Sequence, residues 1–429
     1  MKRILQFLLP CLLCVPWSAS AVDPQKPNII FILADDLGLD GLSCYGGEHI
    51  KTPNLDALAA GGLRFSSCYA MPLCGPSRCT LMTGRYVFRT GGRSNQSAGR
   101  PSPKDEMCIA KVLKQAGYTT CQVGKWRQMG ATPADWGFDE YVTDPTAGGW
   151  YWQKSYFKNG KEVRLDKEIY YEDMIFDYAV DFIKRHKDKP FFLYYPTHLI
   201  HGPILRTPDS KPGTKDYYND NLAYMDKQVG RLMAELDRLN LCENTLVIFA
   251  GDNGTARFGA DTSTLNGRKI NGQKGTLLEG GSRVPLIANW PGVVPKGKFN
   301  NDLIDFTDMF ATFAELGGAK LPEGVKIDGH SFAAQLKGQP GTPREWAFVQ
   351  LGGRWYARDA RWKLTESGAL FDLKDAPFVE APVAADTKDA EAIAGRKHLQ
   401  AVLDELKPTG DANDVGKPRR PGKKRKAVR

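Results

Sequence analysis

Asn28-Ile29-Ile30-Phe31-Ile32-Leu33-Ala34-Asp35-Asp36-Leu37-Gly38 is the stretch that decides the fold. After Asn28 it is a continuous apolar run, without the polar alternation of a half-solvated strand. Such a run reads as a strand covered on both faces, the usual situation in parallel sheets. It stops abruptly at two adjacent carboxylates. Ligands of open α/β sheets gather at the carboxyl ends of strands, so Asp35 and Asp36 stand where a site is expected.

Further buried strands follow at Phe191 to Tyr195 after Pro190, Thr245 to Ala250 and Val284 to Ala288, and Thr119 to Val123 makes another short strand. Between them lie helical periodicities. Thr52 to Ala60 carries Pro53 near its start, and Ala110 to Gln115 is a short helix. Asp173 to Arg185 places Ile175, Phe176, Ala179, Phe182 and Ile183 at core spacing. Tyr217 to Leu239 has Leu222, Met225, Val229, Leu232, Met233 and Leu236 on one face. Strands alternating with helices predict an α/β fold: a large, mainly parallel mixed sheet sandwiched by helices. Past about Pro340 the character changes. Trp346 to Gln350, Trp355 to Ala357, Trp362 to Thr365 and Ala369 to Leu373 read as a small antiparallel C-terminal subdomain, capped by a helix near Leu399 to Leu406.

The chain has 429 residues, 42% hydrophobic and 25% charged, which is ordinary globular composition. The formal net charge of +9 is concentrated at the ends. Lys2 and Arg3 precede an apolar run from Ile4 to Trp17 and then Ala19-Ser20-Ala21, the layout of a cleavable signal peptide. Lys417, Arg419, Arg420, Lys423, Lys424, Arg425, Lys426 and Arg429 form a basic tail rich in Pro and Gly. The remaining body is nearly neutral, and its size, with the site signature quoted below, argues against nucleic-acid binding as the main task. The expected organisation is a signal peptide over 1–21, a catalytic domain over 22–340, the antiparallel subdomain over 341–410 and a disordered tail over 411–429. The expected location is periplasmic or extracellular, with no transmembrane segment. Seven cysteines remain after the signal, and their pairing is left open.

Asp252-Asn253 closes the strand Thr245 to Ala250 as Asp35-Asp36 closes the first. Three carboxylates and one amide suit a hard divalent cation such as calcium. Either pair alone also reads as a helix cap or turn. The most specific segment is Leu73-Cys74-Gly75-Pro76-Ser77-Arg78-Cys79-Thr80-Leu81-Met82-Thr83-Gly84-Arg85.

This segment closely resembles the signature of the formylglycine-dependent sulfatases of the alkaline phosphatase superfamily: Cys, any residue, Pro, Ser, Arg, a helical turn, then Thr-Gly-Arg. Ordered matches run from about Pro27 to Asp375: Asp35-Asp36-Leu37-Gly38, Gly124-Lys125-Trp126, His201-Gly202-Pro203, Ala250-Gly251-Asp252-Asn253-Gly254, Lys274-Gly275-Thr276 with Arg283-Val284-Pro285, and Trp362-Lys363-Leu364 with Phe371-Asp372-Leu373.

The resemblance implies an exported sulfuric ester hydrolase with an alkaline phosphatase-like fold, acting by a covalent sulfo-enzyme route. It implies that a formylglycine-generating maturation enzyme oxidises Cys74 to an aldehyde. One calcium ion is implied at Asp35, Asp36, Asp252, Asn253 and modified Cys74. Arg78, Lys125 and Lys274 are implied as cations around the sulfate, and His201 as partner of the departing alcohol oxygen. His198 reads as structural. The substrate class is a sulfated small molecule or glycan. Phosphate or phosphonate monoester hydrolysis, and weakly catalytic binding of sulfated glycans, are the alternatives.

The chain departs from the family pattern at one place. Where the family usually has His after Gly-Lys-Trp, it has Arg127. Arginine stays charged and does not act as a base at neutral pH, so either Arg127 clamps sulfate as a substrate-binding residue and another group takes the proton, or turnover is weakened, or Arg127 points elsewhere. The aromatic stretch Thr146 to Phe157 reads either as a glycan-contacting loop or as a locally packed cluster.

Overall fold

The structure is a computed structural model that describes residues 26–95, 101–126, 129–144 and 151–410. The signal-like segment, the basic tail and Arg127 lie outside these residues. Ten strands form the main sheet: β1 (Asn28–Ala34), β2 (Leu63–Tyr69), β3 (Thr119–Gly124), β4 (Glu140–Thr143), β5 (Trp152–Lys158), β6 (Lys161–Tyr170), β7 (Phe191–Pro196), β8 (Thr245–Gly251), β9 (Arg283–Asn289) and β10 (Lys298–Asp305). Their order is β10-β2-β9-β8-β1-β7-β3-β4-β5-β6. The centre is parallel, since β1 pairs with β7 and β8, and β3 with β7 and β4. β9 runs antiparallel to both β8 and β2, and β5 and β6 form an antiparallel hairpin at one edge.

The apolar run of β1 is buried along its whole length, and its side chains divide between two layers. Ile29, Phe31 and Leu33 face a core shared with the helices Cys74–Thr83, Ile109–Gln115 and Asp308–Leu316. Ile30 and Ile32 face the other core, with the helices Pro53–Ala60, Tyr171–His186 and Tyr217–Arg238. Covering both faces is why the strand lacks alternation. Each fully buried Ile, Leu or Phe contributes about 1.5–3 kcal/mol of transfer free energy.

A second, five-stranded antiparallel sheet contains β11 (Ala347–Leu351), β12 (Arg354–Arg358), β13 (Trp362–Thr365), β14 (Leu370–Asp372) and β15 (Ala381–Val383), in that order. The helix Ala390–Leu406 covers it, starting nine residues earlier than its expected Leu399. Phe348, Ala357, Trp362 and Leu399 belong to the same core as Phe31, so the small sheet is packed onto the large one.

The aromatic stretch is a strand, not a loop, over its described part. Tyr151 is fully buried, and Trp152, Tyr156 and Phe157 are half-buried in or beside β5. Among the described residues no helix is long and apolar enough to cross a membrane. Among the described residues no disulfide joins Cys44, Cys68, Cys74, Cys79, Cys108, Cys121 and Cys242 to one another.

Candidate active site

β1 and β8 are in register, Ala34 opposite Gly251, so their next residues emerge side by side. The Asp252 N–H donates to the Ala34 carbonyl at 2.9 Å. The Asp36 N–H donates to Asp252 Oδ1 at 3.1 Å, and Asn253 Nδ2 donates to Asp36 Oδ1 at 3.0 Å. Asp36 sits at φ 64°, in the left-handed region, which short polar residues tolerate better than most. Gly254 is required by packing: a Cβ there would lie 1.7 Å from the Gly280 carbonyl oxygen.

Cys74 begins the helix Cys74–Thr83, every residue of which is buried. Asn95 holds this end, accepting from the Gly75 N–H at 3.0 Å and lying 3.7 Å from the Cys74 Sγ. One turn on, Arg78 reaches back under the strand ends and donates from Nε and Nη2 to Asp252 Oδ2 at 3.2 and 2.7 Å. Lys125 follows β3, its N–H on the Pro196 carbonyl at 2.8 Å and its Nζ on Asp35. Preceding Gly124 has φ 113°, and a Cβ there would sit 2.2 Å from the Pro196 oxygen. Lys274 lies on a loop fastened by its N–H to Thr255 O at 3.0 Å and by the Gly275 N–H to Pro72 O at 2.8 Å. Its Nζ contacts Asp36. His201 places Nε2 3.8 Å from Asp36 Oδ2, with Nδ1 2.5 Å from the Gly202 carbonyl oxygen.

Asp35, Asp36, Asp252, Asn253, Cys74, Arg78, Lys125, His201 and Lys274 therefore meet in one place. Ligand atoms of Asp35, Cys74 and His201 lie within 4.8 Å of one another, as do those of Asp35, Asp36 and Asp252. Sequence reasoning missed Asn95 and Tyr194, whose hydroxyl lies 3.5 Å from Arg78 Nη1. Asn95 sits in a polar stretch with no distinguishing pattern. Tyr194 is hidden inside an apolar strand.

The electrostatics fit a divalent cation. Burial pushes the Asp252 carboxyl up, and the neighbouring Asp35 charge adds to it. For Asp35 burial acts the same way, but Lys125, His201 and Arg78 overcome it and hold that carboxyl well below the usual range. Asp35 Oδ1 and Asn253 Oδ1 are buried oxygens without a hydrogen-bond donor among the described residues. A hard cation satisfies such oxygens and relieves the crowding of Asp252 against Asp35. Without it, three cationic side chains face three carboxylates; a divalent ion makes the pocket positive, as anion binding requires.

The chain as a whole is similar to known proteins. A family model described as Sulfatase matches residues 27–319. The chain is 35% identical to an N-acetylgalactosamine-6-sulfatase of Canis lupus familiaris over 357 residues, covering 75% of this chain and 68% of that one. It is 34% identical to arylsulfatase A of Homo sapiens over 424 residues, covering 87% and 82%. Among solved structures, Ps i-CgsB in complex with k-i-k-neocarrahexaose superposes with a TM-score of 0.75 at 29% identity, covering 92% of this chain and 94% of that one. The chain belongs to the sulfatase family. It is a sulfuric ester hydrolase, an enzyme that cleaves sulfate esters.

Proposed function

We propose that the protein is an exported, calcium-dependent hydrolase of sulfated saccharides whose nucleophile is formylglycine made from Cys74 by a maturation enzyme. The observation that carries the reading is Cys74 at the start of a buried helix, with ligand atoms of Asp35 and His201 within 4.8 Å. An unmodified thiol is poorly suited to this position. Burial raises its pKa and outweighs the opposing pull of Lys125 and Lys274, so the thiolate is disfavoured. The saccharide class rests on the relatives, one named for N-acetylgalactosamine 6-sulfate and one crystallised with a neocarrahexaose.

Asp35, Asp36, Asp252 and Asn253 would hold the calcium with the residue at 74. When present, formylglycine supplies a hydrated aldehyde as nucleophile and calcium supplies Lewis acidity. Arg78, Lys125 and Lys274 are assigned to the sulfate oxygens, where fixed cations stabilise charge developing in the transition state. His201 is assigned to the departing alcohol. With Nδ1–H directed at Gly202, its Nε2 donates only when the ring is an imidazolium. Burial, above all, draws the free imidazole down to about 4. An anionic ester bound beside it favours the protonated form, so proton donation is coupled to substrate occupancy. Arg127 is assigned to sulfate binding on its sequence position alone.

Sulfate release from a panel of sulfated mono- and oligosaccharides, with Cys74→Ala as control, tests the reading. Release by the parent and none by the variant is expected. Equal release by both would remove Cys74 from the mechanism.

A further inference from the structure

Behind His201 the mechanism leaves a buried charged group unused. His198, fully buried, faces Glu172 through Nδ1 at 3.0 Å and Asp144 through Nε2 at 3.5 Å. Glu172 is also fully buried, at the start of the helix Tyr171–His186. Its carboxylate accepts from the His198 N–H at 3.1 Å and from the Thr197 hydroxyl. Burial lowers the His198 pKa, but Asp144 and Glu172 prevail and raise it overall, so an imidazolium between carboxylates is the coherent state. Burying such a charged group is costly compared with apolar packing, so the network calls for a reason.

The reason lies in what the network holds. Residues 197–201 form a strap over the end of β1. The Asp35 N–H donates to the Leu199 carbonyl and the Ile200 N–H to the Asp35 carbonyl, both at 2.8 Å. The His201 N–H donates to the His198 carbonyl at 2.7 Å. The Tyr151 hydroxyl reaches the His198 and His201 carbonyls at 3.0 and 2.8 Å, sharing one proton between them. The Tyr151 carbonyl accepts the Tyr171 N–H at 2.7 Å, one residue from Glu172. Glu172, His198 and Tyr151 thus clamp both ends of the strap that carries His201.

We infer that Glu172, His198 and Tyr151 are positioning residues that fix His201 relative to the departing alcohol oxygen by clamping residues 197–201 onto Asp35. The inference rests on the assignment of His201 to the leaving group. Misplacing a proton donor matters most when the departing alcohol is basic, as a sugar hydroxyl is. It matters little for a nitrophenolate, which leaves without a proton.

Glu172→Gln and Tyr151→Phe are measured on a saccharide sulfate and on 4-nitrophenyl sulfate, alone and combined with His201→Ala, with circular dichroism to establish folding. Each single variant is expected to lower kcat on the saccharide by about tenfold, to leave KM within about twofold and 4-nitrophenyl sulfate turnover within about threefold. Neither is expected to add a further loss in the His201→Ala background. Equal losses on both substrates, or losses that add to those of His201→Ala, would overturn the inference while leaving the role of His201 standing. A His201→Ala protein that loses both substrates equally would overturn the role of His201 and the inference with it. If Glu172→Gln does not fold, Tyr151→Phe decides by the same criteria, since it deletes one oxygen and keeps the ring.

Discussion

Asp36 and Asp252 are joined across the carboxyl ends of neighbouring parallel strands, the Asp36 N–H donating to Asp252 Oδ1 at 3.1 Å. This bond joins the Asp35-Asp36 and Asp252-Asn253 pairs into one cluster, and Arg78 braces the far oxygen of Asp252 at 2.7 Å.

Asp252→Asn keeps the side chain's size but removes its charge and turns one accepting oxygen into a donor that faces the Asp36 N–H or Arg78. Turnover is expected to fall by at least on the order of 100-fold. The thermal midpoint of the parent should rise with added calcium, by the equivalent of about 2.7 kcal/mol at 100 times Kd, and that of the variant should not. A parent that keeps full activity after exhaustive chelation, with no metal detected, would rule out the calcium assignment.

Gly124→Ala is expected to be destabilising by more than about 2 kcal/mol. The new methyl meets the Pro196 carbonyl, and φ 113° disfavours any side chain. Because Lys125 is the next residue, activity should drop along with the urea midpoint. An unchanged midpoint would show that β3 and β7 separate there without cost.

Glu140 gives a pH signature away from the site. Hydrogen bonds from Arg185, foremost, and from His186 and Tyr178 hold its carboxyl down at about 2. A depressed carboxyl stabilises the fold above its ordinary value near 4.5 and loses that contribution as pH falls through about 2. Glu140→Gln should therefore be less stable than the parent at pH 7, by about 1 kcal/mol for a partly exposed pair. The gap should narrow steadily below pH 4.5. A gap that stays constant down to pH 3 would contradict the assignment.

Arg127→His restores the residue usual in the family. If Arg127 clamps sulfate, the parent should be inhibited by free sulfate and the variant less so, with a pH–rate profile moved toward neutrality. Steady-state kinetics with added sulfate checks this. A parent insensitive to sulfate, and a variant with an unaltered profile, would place Arg127 elsewhere.

The centre of the fold was legible because β1, β7 and β8 are apolar on both faces, a pattern that is stable in a sheet covered on both sides. The edges were not. β6 is Lys161-Glu162-Val163-Arg164-Leu165-Asp166-Lys167-Glu168-Ile169-Tyr170, mostly exposed, and its pairing with β5 supplies what its composition does not. The nine site residues that converge were found because they close strands or fill a linear motif. Asn95, Tyr194 and Glu172 act from positions with no local signal. Their proximity to the site depends on chain segments distant in sequence.

The claim that Cys74 becomes the nucleophile is tested most directly by mass spectrometry of the tryptic peptide Phe65–Arg78 from fully active protein. The account predicts an aldehyde or its hydrate at position 74, trapped by a hydrazine and present in proportion to sulfatase activity across preparations. An unmodified Cys74 thiol in fully active enzyme would contradict it.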